Sequence, residues 1–314
     1  MYHRILLTND GSPLAAAAIP YAAALARQDD AEVLVLRVSH AAGDLPERID
    51  GDTWERAIIA AGRVTVALEA EPLLGEVVAR LKAAGVERAG SLVLRGEPGP
   101  TIAEAARAMG ADLVVVSSHG LSGLRRAVLG SVADHVIRHA GNVPVLLCHP
   151  LPPDVVTPFE RIVVPLDGSP FAEAALQHAA DIARSAGSTL ILVRGIDSVA
   201  RVIAASMPVA AGVAVPGLSN QEAEEIVAAE RGAIREELAL VAARLATEGV
   251  PHTRIEIVED LPSDAILQTA KRHDCRLVVM STHGRGGLGR TLLGSVADEV
   301  TRHLDAGAVL LVHP

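Results

Sequence analysis

Val114–His139 reads VVVSSHGLSGLRRAVLGSVADHVIRH, and Val278–His303 reads VVMSTHGRGGLGRTLLGSVADEVTRH. Each stretch is 26 residues long, and the two align without a gap with 17 identical positions. Each opens on an aliphatic run of strand type, crosses a glycine-rich loop and ends in a helical pattern that starts at Gly-Ser. A second matching pair lies near the beginnings, RILLTNDGSP at Arg4–Pro13 and RIVVPLDGSP at Arg161–Pro170. The copies are offset by 157 at Asp10 and Asp167 and by 164 at Gly120 and Gly284. The second copy therefore carries about seven extra residues in between, most simply within Val199–Asn220. A period this long, repeated only once, is a duplicated domain and not a solenoid. The expected division is residues 1–150 and 161–314, joined by the proline-rich LPPDVVTPFE of Leu151–Glu160.

Around these anchors, short aliphatic strands alternate with helical stretches. Strands are expected at Ile5–Thr8, Val33–Val38, Ser91–Arg95, Leu113–Ser117 and Val143–Cys148. Their second-copy counterparts are Ile162–Leu166, Thr189–Arg194, Thr253–Val258, Leu277–Ser281 and Val309–Val312. Helices are expected near Leu14–Arg27, Trp54–Ala84, Thr101–Met109 and Ser131–Arg138, then near Phe171–Ser185, Gln221–Glu248, Ser263–His273 and Ser295–Arg302. Near-continuous aliphatic strands alternating with helices require a parallel sheet covered on both faces. The fold class is α/β: two tandem, doubly wound, five-stranded parallel-sheet domains.

Composition narrows the function. Half of the 314 residues are hydrophobic while aromatics make up 2%, so Ala, Val and Leu must fill the core. A formal charge of −10, with few rings for stacking, argues against nucleic acid as a partner. The most apolar stretch, Val202–Leu218, is broken by Pro208, Gly212, Pro216 and Gly217, which argues against a membrane span. Tyr2, His3 and Arg4 lead straight into a strand, and the cytoplasm is the expected setting. Cys148 and Cys275 fall at different places in the two copies and read as buried free thiols.

In doubly wound sheets, ligands sit beyond the carboxyl ends of the strands, where the strand order reverses. Two segments of each copy reach that crevice. The loop after the fourth strand holds Ser117, His119, Gly120, Gly123, Gly130 and Ser131, or Ser281, His283, Gly284, Gly287, Gly294 and Ser295. Its backbone amides and the helix start behind it form a seat for phosphate that needs no lysine. The alternative is a plain turn with Ser131 or Ser295 as an N-cap. After the first strand, Asp10 and Asp167 either form Asx turns or accept hydrogen bonds from a ribose or base. Lys82 and Lys271 are the only lysines and neither adjoins a glycine loop, so a Walker phosphate loop is absent.

The DGS after strand one, the fourth-strand loop and GSVAD at a helix start resemble the universal stress protein family, and the likeness covers both halves. The ATP-binding form of that family carries Gly-x2-Gly-x9-Gly-Ser/Thr. Gly120 with Gly130-Ser131, and Gly284 with Gly294-Ser295, fit the latter part; Ser117 and Ser281 replace the first glycine. The resemblance implies an adenine-nucleotide alpha hydrolase-like fold, with the halves forming a pseudo-twofold pair through their last strands. It also implies ATP, AMP or ADP as ligand, with magnesium as a candidate companion. Asp10 and Asp167 would meet the adenosine end and Val38 would line the adenine pocket. Gly195 stands where Val38 does, and Asp260 where Gly96 does, so the first half is the favoured binder.

The function expected is that of a cytoplasmic, nucleotide-dependent stress regulator without efficient catalysis, because no general base with an orienting partner can be named. An alternative is a slow ATPase or phosphotransferase using His119 or His283. Another is a nucleotide-free interaction module with Val202–Leu218 as its patch. A homodimer of tandem chains and an unidentified protein partner are further expectations. His135 and His139 have metal-pair spacing, but with no third ligand evident no metal is expected. His139, His303, Arg138 and Arg302 are expected to satisfy carbonyls at helix ends. Arg126 and Arg290 are expected to pair with phosphate or with Asp134 and Asp298.

Overall fold

The computed structural model describes residues 1–39, 66–67, 72–118, 129–152, 155, 157–206, 217–282 and 293–313. The first half runs β1 (Arg4–Thr8), a 3-10 turn (Ala15–Ala18), α1 (Ile19–Asp29), β2 (Glu32–Ser39), β3 (Val66–Ala67), α2 (Pro72–Ala83) and β4 (Ala89–Arg95). It continues with α3 (Pro98–Ala108), β5 (Leu113–Ser117), α4 (Ser131–His139) and β6 (Val145–Cys148). The second half runs β7 (Arg161–Pro165), α5 (Pro170–Ala186), β8 (Thr189–Ile196), α6 (Val199–Ser206), α7 (Asn220–Thr247) and β9 (His252–Glu259). It ends with α8 (Pro262–Arg272), β10 (Leu277–Ser281), α9 (Ser295–His303) and β11 (Ala308–Val312).

All strands join one sheet in the order β3-β4-β2-β1-β5-β6-β11-β10-β7-β8-β9. Within each half the main strands run parallel, and the order reverses between β1 and β5 and between β7 and β10. The halves meet where β6 and β11 pair antiparallel, with Leu146 opposite Leu310 and Leu147 opposite Val309. This is the pairing through last strands that the sequence led us to expect.

Register fixes the correspondence between the copies. Arg4 pairs with Glu32 as Arg161 pairs with Thr189, while Val33 pairs with Ala89 as Leu190 pairs with Thr253. The offset thus rises from 157 to 164 between the second and third parallel strands, the stretch in which the second half carries α6. Ser206, at the end of α6, accepts the Leu218 N–H at 2.9 Å. Of the apolar stretch Val202–Leu218, residues 207–216 lie outside the described residues.

Of the helix expected over Trp54–Ala84, residues 54–65 and 68–71 lie outside the described residues, Pro72–Ala83 is helical, and the structure corrects the expectation at Val66–Ala67. Val66–Ala67 pairs antiparallel with Leu94 and Val93 of β4, which gives the first half a sixth, short strand instead of five. β-Branched Val66 favours extended backbone, and the described helix opens at Pro72, whose fixed φ suits a first turn. Elsewhere helix limits follow local chemistry. In α5 the Ser169 side chain accepts the Ala172 N–H and Gly187, at φ +69°, closes the other end. In α7, Ser219 and Glu222 form a capping box.

The helices cover both faces of the sheet, and the core on the α1 and α5 side runs unbroken through both halves. There Tyr2 stacks on His178, with ring centres 5.9 Å apart, and its hydroxyl lies 3.0 Å from His178 Nδ1. Phe159 packs on Tyr21 at 6.2 Å, and the Tyr21 hydroxyl donates to the His149 carbonyl at 3.1 Å. At the offset of 157, Phe159 corresponds to Tyr2 and His178 to Tyr21. The halves therefore exchange the same contact in both directions, as two subunits about a twofold axis would.

Candidate functional site

The turn after the first strand is dictated by its glycine. Gly11 has φ +86° and Gly168 φ +78°, a region that costs other residues about 1–2 kcal/mol. A Cβ at residue 11 would also fall 2.6 Å from Leu73 Cδ2. Asp10 Oδ1 accepts the Ser12 N–H at 2.9 Å, and Asp167 Oδ1 accepts the Ser169 N–H at 2.9 Å. Ser12 Oγ accepts from Ala15 N–H at 3.0 Å and Ser169 Oγ from Ala172 N–H at 3.2 Å. Of the two roles weighed for the aspartates, the Asx turn is therefore present, and it sets both carboxylates at the carboxyl edge of the sheet.

Beside that turn, β5 and β10 end at Ser117 and Ser281. The Gly130 N–H donates to the Ser118 carbonyl at 3.0 Å, and the Gly294 N–H to the Thr282 carbonyl at 2.8 Å. Each loop is thus closed at its neck, and its return strand of chain enters a helix directly. His119, Gly120, Gly123, His283, Gly284 and Gly287, along with Arg126 and Arg290, lie outside the described residues. The role of Ser131 and Ser295 differs from the N-cap alternative. Gly130 and Gly294 are the N-caps, with φ near that of any extended residue, and the serines are the first helical residues. No side chain caps either helix among the described residues, so the first-turn amides and the positive end of each dipole are aimed toward the loop.

Sequence reading did not single out Ser118 and Thr282, whose carbonyls tie the necks. The only available signal was that a hydroxyl residue sits at this place in both copies.

The third wall of the crevice is where the halves part company. Val38 on β2 is half-buried and packs against the core on the α3 and α4 side. After β4, Gly96 takes φ +144° and its N–H donates to the Ser39 carbonyl of β2 at 3.2 Å. In the second half the equivalent Asp260 N–H donates to the Val258 carbonyl of its own strand at 3.0 Å. Asp260 Oδ1 accepts the Leu261 N–H at 2.8 Å and Oδ2 accepts from Gln268 Nε2 at 2.6 Å. A Cβ on Gly195 would stand 3.0 Å from the Asp260 carbonyl oxygen and 3.1 Å from Pro262 Cα.

Other candidates resolve into structural roles. His139 Nδ1 lies 2.9 Å from the His135 carbonyl and His303 Nδ1 lies 3.0 Å from that of Glu299, which is the helix-end role expected of these histidines. The arginines beside them behave differently from that expectation. Arg138 pairs with Asp134 at 2.9 Å and Arg302 with Asp298 at 2.8 Å, one turn apart, because i,i+4 spacing faces the two charges. Cys148 and Cys275 are buried and in no disulfide, with the Cys148 thiol donating to the Leu146 carbonyl at 3.8 Å; burial pushes the Cys148 thiol up and that of Cys275 up to about 12. Among the described residues, no helix is long and apolar enough to cross a membrane and no three metal-ligating side chains cluster.

The sequence profile of the universal stress protein family matches residues 1–149 and again residues 158–313. The chain belongs to the universal stress protein family. Among tandem relatives, this universal stress protein is 31% identical over 308 residues to Universal stress protein Rv2005c of Mycobacterium tuberculosis, a match spanning 95% of this chain and 93% of that one. Universal stress protein YxiE of Bacillus subtilis is 31% identical over 148 residues, which are 47% of this chain and 99% of the relative. The crystal structure of a universal stress protein from Archaeoglobus fulgidus superposes with a TM-score of 0.67 at 21% identity, covering 99% of this universal stress protein and 98% of that chain. The shared fold thus extends over both halves.

Proposed function

We propose that this chain binds an adenine nucleotide, ATP or its products ADP and AMP, and acts as a nucleotide-dependent stress regulator without efficient catalysis. One observation carries the reading. Helix α4 starts on a bare glycine cap, at a loop closed by the Gly130–Ser118 hydrogen bond, next to the Asp10 turn and the Val38 wall. A phosphate chain needs amide donors and a positive dipole end, a ribose needs a carboxylate, and a base needs an apolar wall. Those three requirements meet at one edge of one sheet. Ser117, His119, Gly120, Gly123, Gly130 and Ser131 are the proposed phosphate contacts, and magnesium is the proposed charge partner of the phosphates.

Turnover is not part of the proposal. The sequence names no general base with an orienting partner, which is what general-base chemistry requires. The proposed setting is the cytoplasm, in keeping with two buried thiols that form no disulfide. The test is to purify the chain without added nucleotide, denature it, and identify what is released by chromatography and mass spectrometry, followed by titration with ATP and magnesium. Released or titratable adenine nucleotide, lost in Gly120→Glu, is the expected result. No release and no binding would overturn the proposal.

A further inference from the structure

We infer that the base-binding end of the second crevice is filled by the chain's own backbone, so that nucleotide is held by the first half alone. The inference rests on the nucleotide-binding reading above and concerns where that ligand goes.

The cause is one change of turn after the third parallel strand of each half. Gly96 has φ +144°, which a side chain rarely tolerates, and that conformation lets its N–H reach across to Ser39 on the neighbouring strand. Asp260 occupies the same place and does not take that conformation. Its N–H folds back onto Val258, two residues earlier in its own strand, and its carboxylate is held from both sides by the Leu261 N–H and the Gln268 amide. Folding back swings the Asp260 carbonyl and the Pro262 backbone over β8. There they come within 3.0 and 3.1 Å of where a Cβ on residue 195 would be. Backbone atoms give way less readily than the end of a flexible side chain, so glycine at position 195 is favoured and any larger residue must push the Asp260–Pro262 backbone aside.

The pairs Val38/Gly195 and Gly96/Asp260 are therefore two halves of a single structural change. In the first half the Val38 side chain presents an apolar wall. In the second half a carbonyl oxygen and a proline occupy that space, and a flat base has no face to lie against. The helix start at Ser295 resembles that at Ser131, but a phosphate seat without room for the base does not hold a nucleotide.

The experiment is equilibrium dialysis of the full chain against labelled ATP with magnesium, paired with photolabelling by an azido-adenine nucleotide and peptide mapping. The wild type is expected to hold about one nucleotide per chain. Label should fall on first-half peptides, and Val38→Arg should abolish binding while circular dichroism stays unchanged. Two nucleotides per chain, label on the β8 or β9 peptides, or an equivalent surviving Val38→Arg would overturn the inference and leave the nucleotide reading standing. No binding and no label anywhere would overturn both. Photolabelling of the wild type decides the question even if Val38→Arg fails to fold.

Discussion

Gly130 has an ordinary φ of −62°, so its conformation does not demand glycine. What glycine provides there is a helix start with no acceptor of its own. Gly130→Asp would supply an N-cap carboxylate, which stabilises a helix start by only about a few tenths of a kcal/mol over glycine. The same carboxylate would repel phosphate. The expected outcome is an equal or higher melting temperature with at least a tenfold loss of ATP affinity, read by calorimetry; unchanged affinity would remove α4 from the phosphate seat. A second residue-scale prediction concerns His178, half-buried against Tyr2. Burial lowers its pKa below 6.5, against a smaller upward pull from Asp181. A folded-state value below the unfolded one means stability is full above about pH 6.5 and declines as pH falls through the lower folded value. Denaturant midpoints should therefore drop between pH 7 and pH 5, and the drop should shrink in His178→Gln. The thiols give a third: Cys148 and Cys275 should react with a thiol reagent at pH 7 only after unfolding, since both are buried and held protonated.

At the scale of elements, legibility followed periodicity. The parallel strands were readable because strands buried on both faces must be aliphatic throughout, as in the LVVVS of β5 and the AVLLV of β11. Helix α5 was readable from Ser169-Pro170 at its start and Gly187 at its end. The strand Val66–Ala67 was not, because two residues offer no period and the surrounding alanines and glutamates read as helix. Of the site, the Asp-Gly-Ser turns and the Gly-Ser helix starts were visible as repeated letters. Asp260 was visible as a difference between copies, but its consequence was not, because a hydrogen bond that switches from a neighbouring strand to its own leaves no mark in composition. The glycine of the Asp260 turn's partner makes an element-scale prediction. Gly195→Val, harmless if the turn were open as in the first half, should cost about 1–3 kcal/mol by overpacking against the Pro262 backbone, measured by denaturant unfolding.

At the scale of the whole molecule, the sheet has no break. Leu146 and Leu310, both fully buried, face each other across the seam, and Tyr2 and His178 close one core over both halves. The halves should accordingly melt as one unit. Calorimetry is expected to show a single transition, and Leu310→Ala, which opens a cavity at the seam, should lower stability by about 2–5 kcal/mol without splitting it. Two resolved transitions in the wild type would contradict this. The seam has one more consequence. Because β6 and β11 run in opposite directions while each runs parallel to the main strands of its own half, the carboxyl ends of the two strand sets point to opposite margins of the sheet. The molecule is bipolar: whatever seats itself at the first margin and whatever docks at the second never meet, and any message from one to the other must cross the shared sheet and the core packed on it.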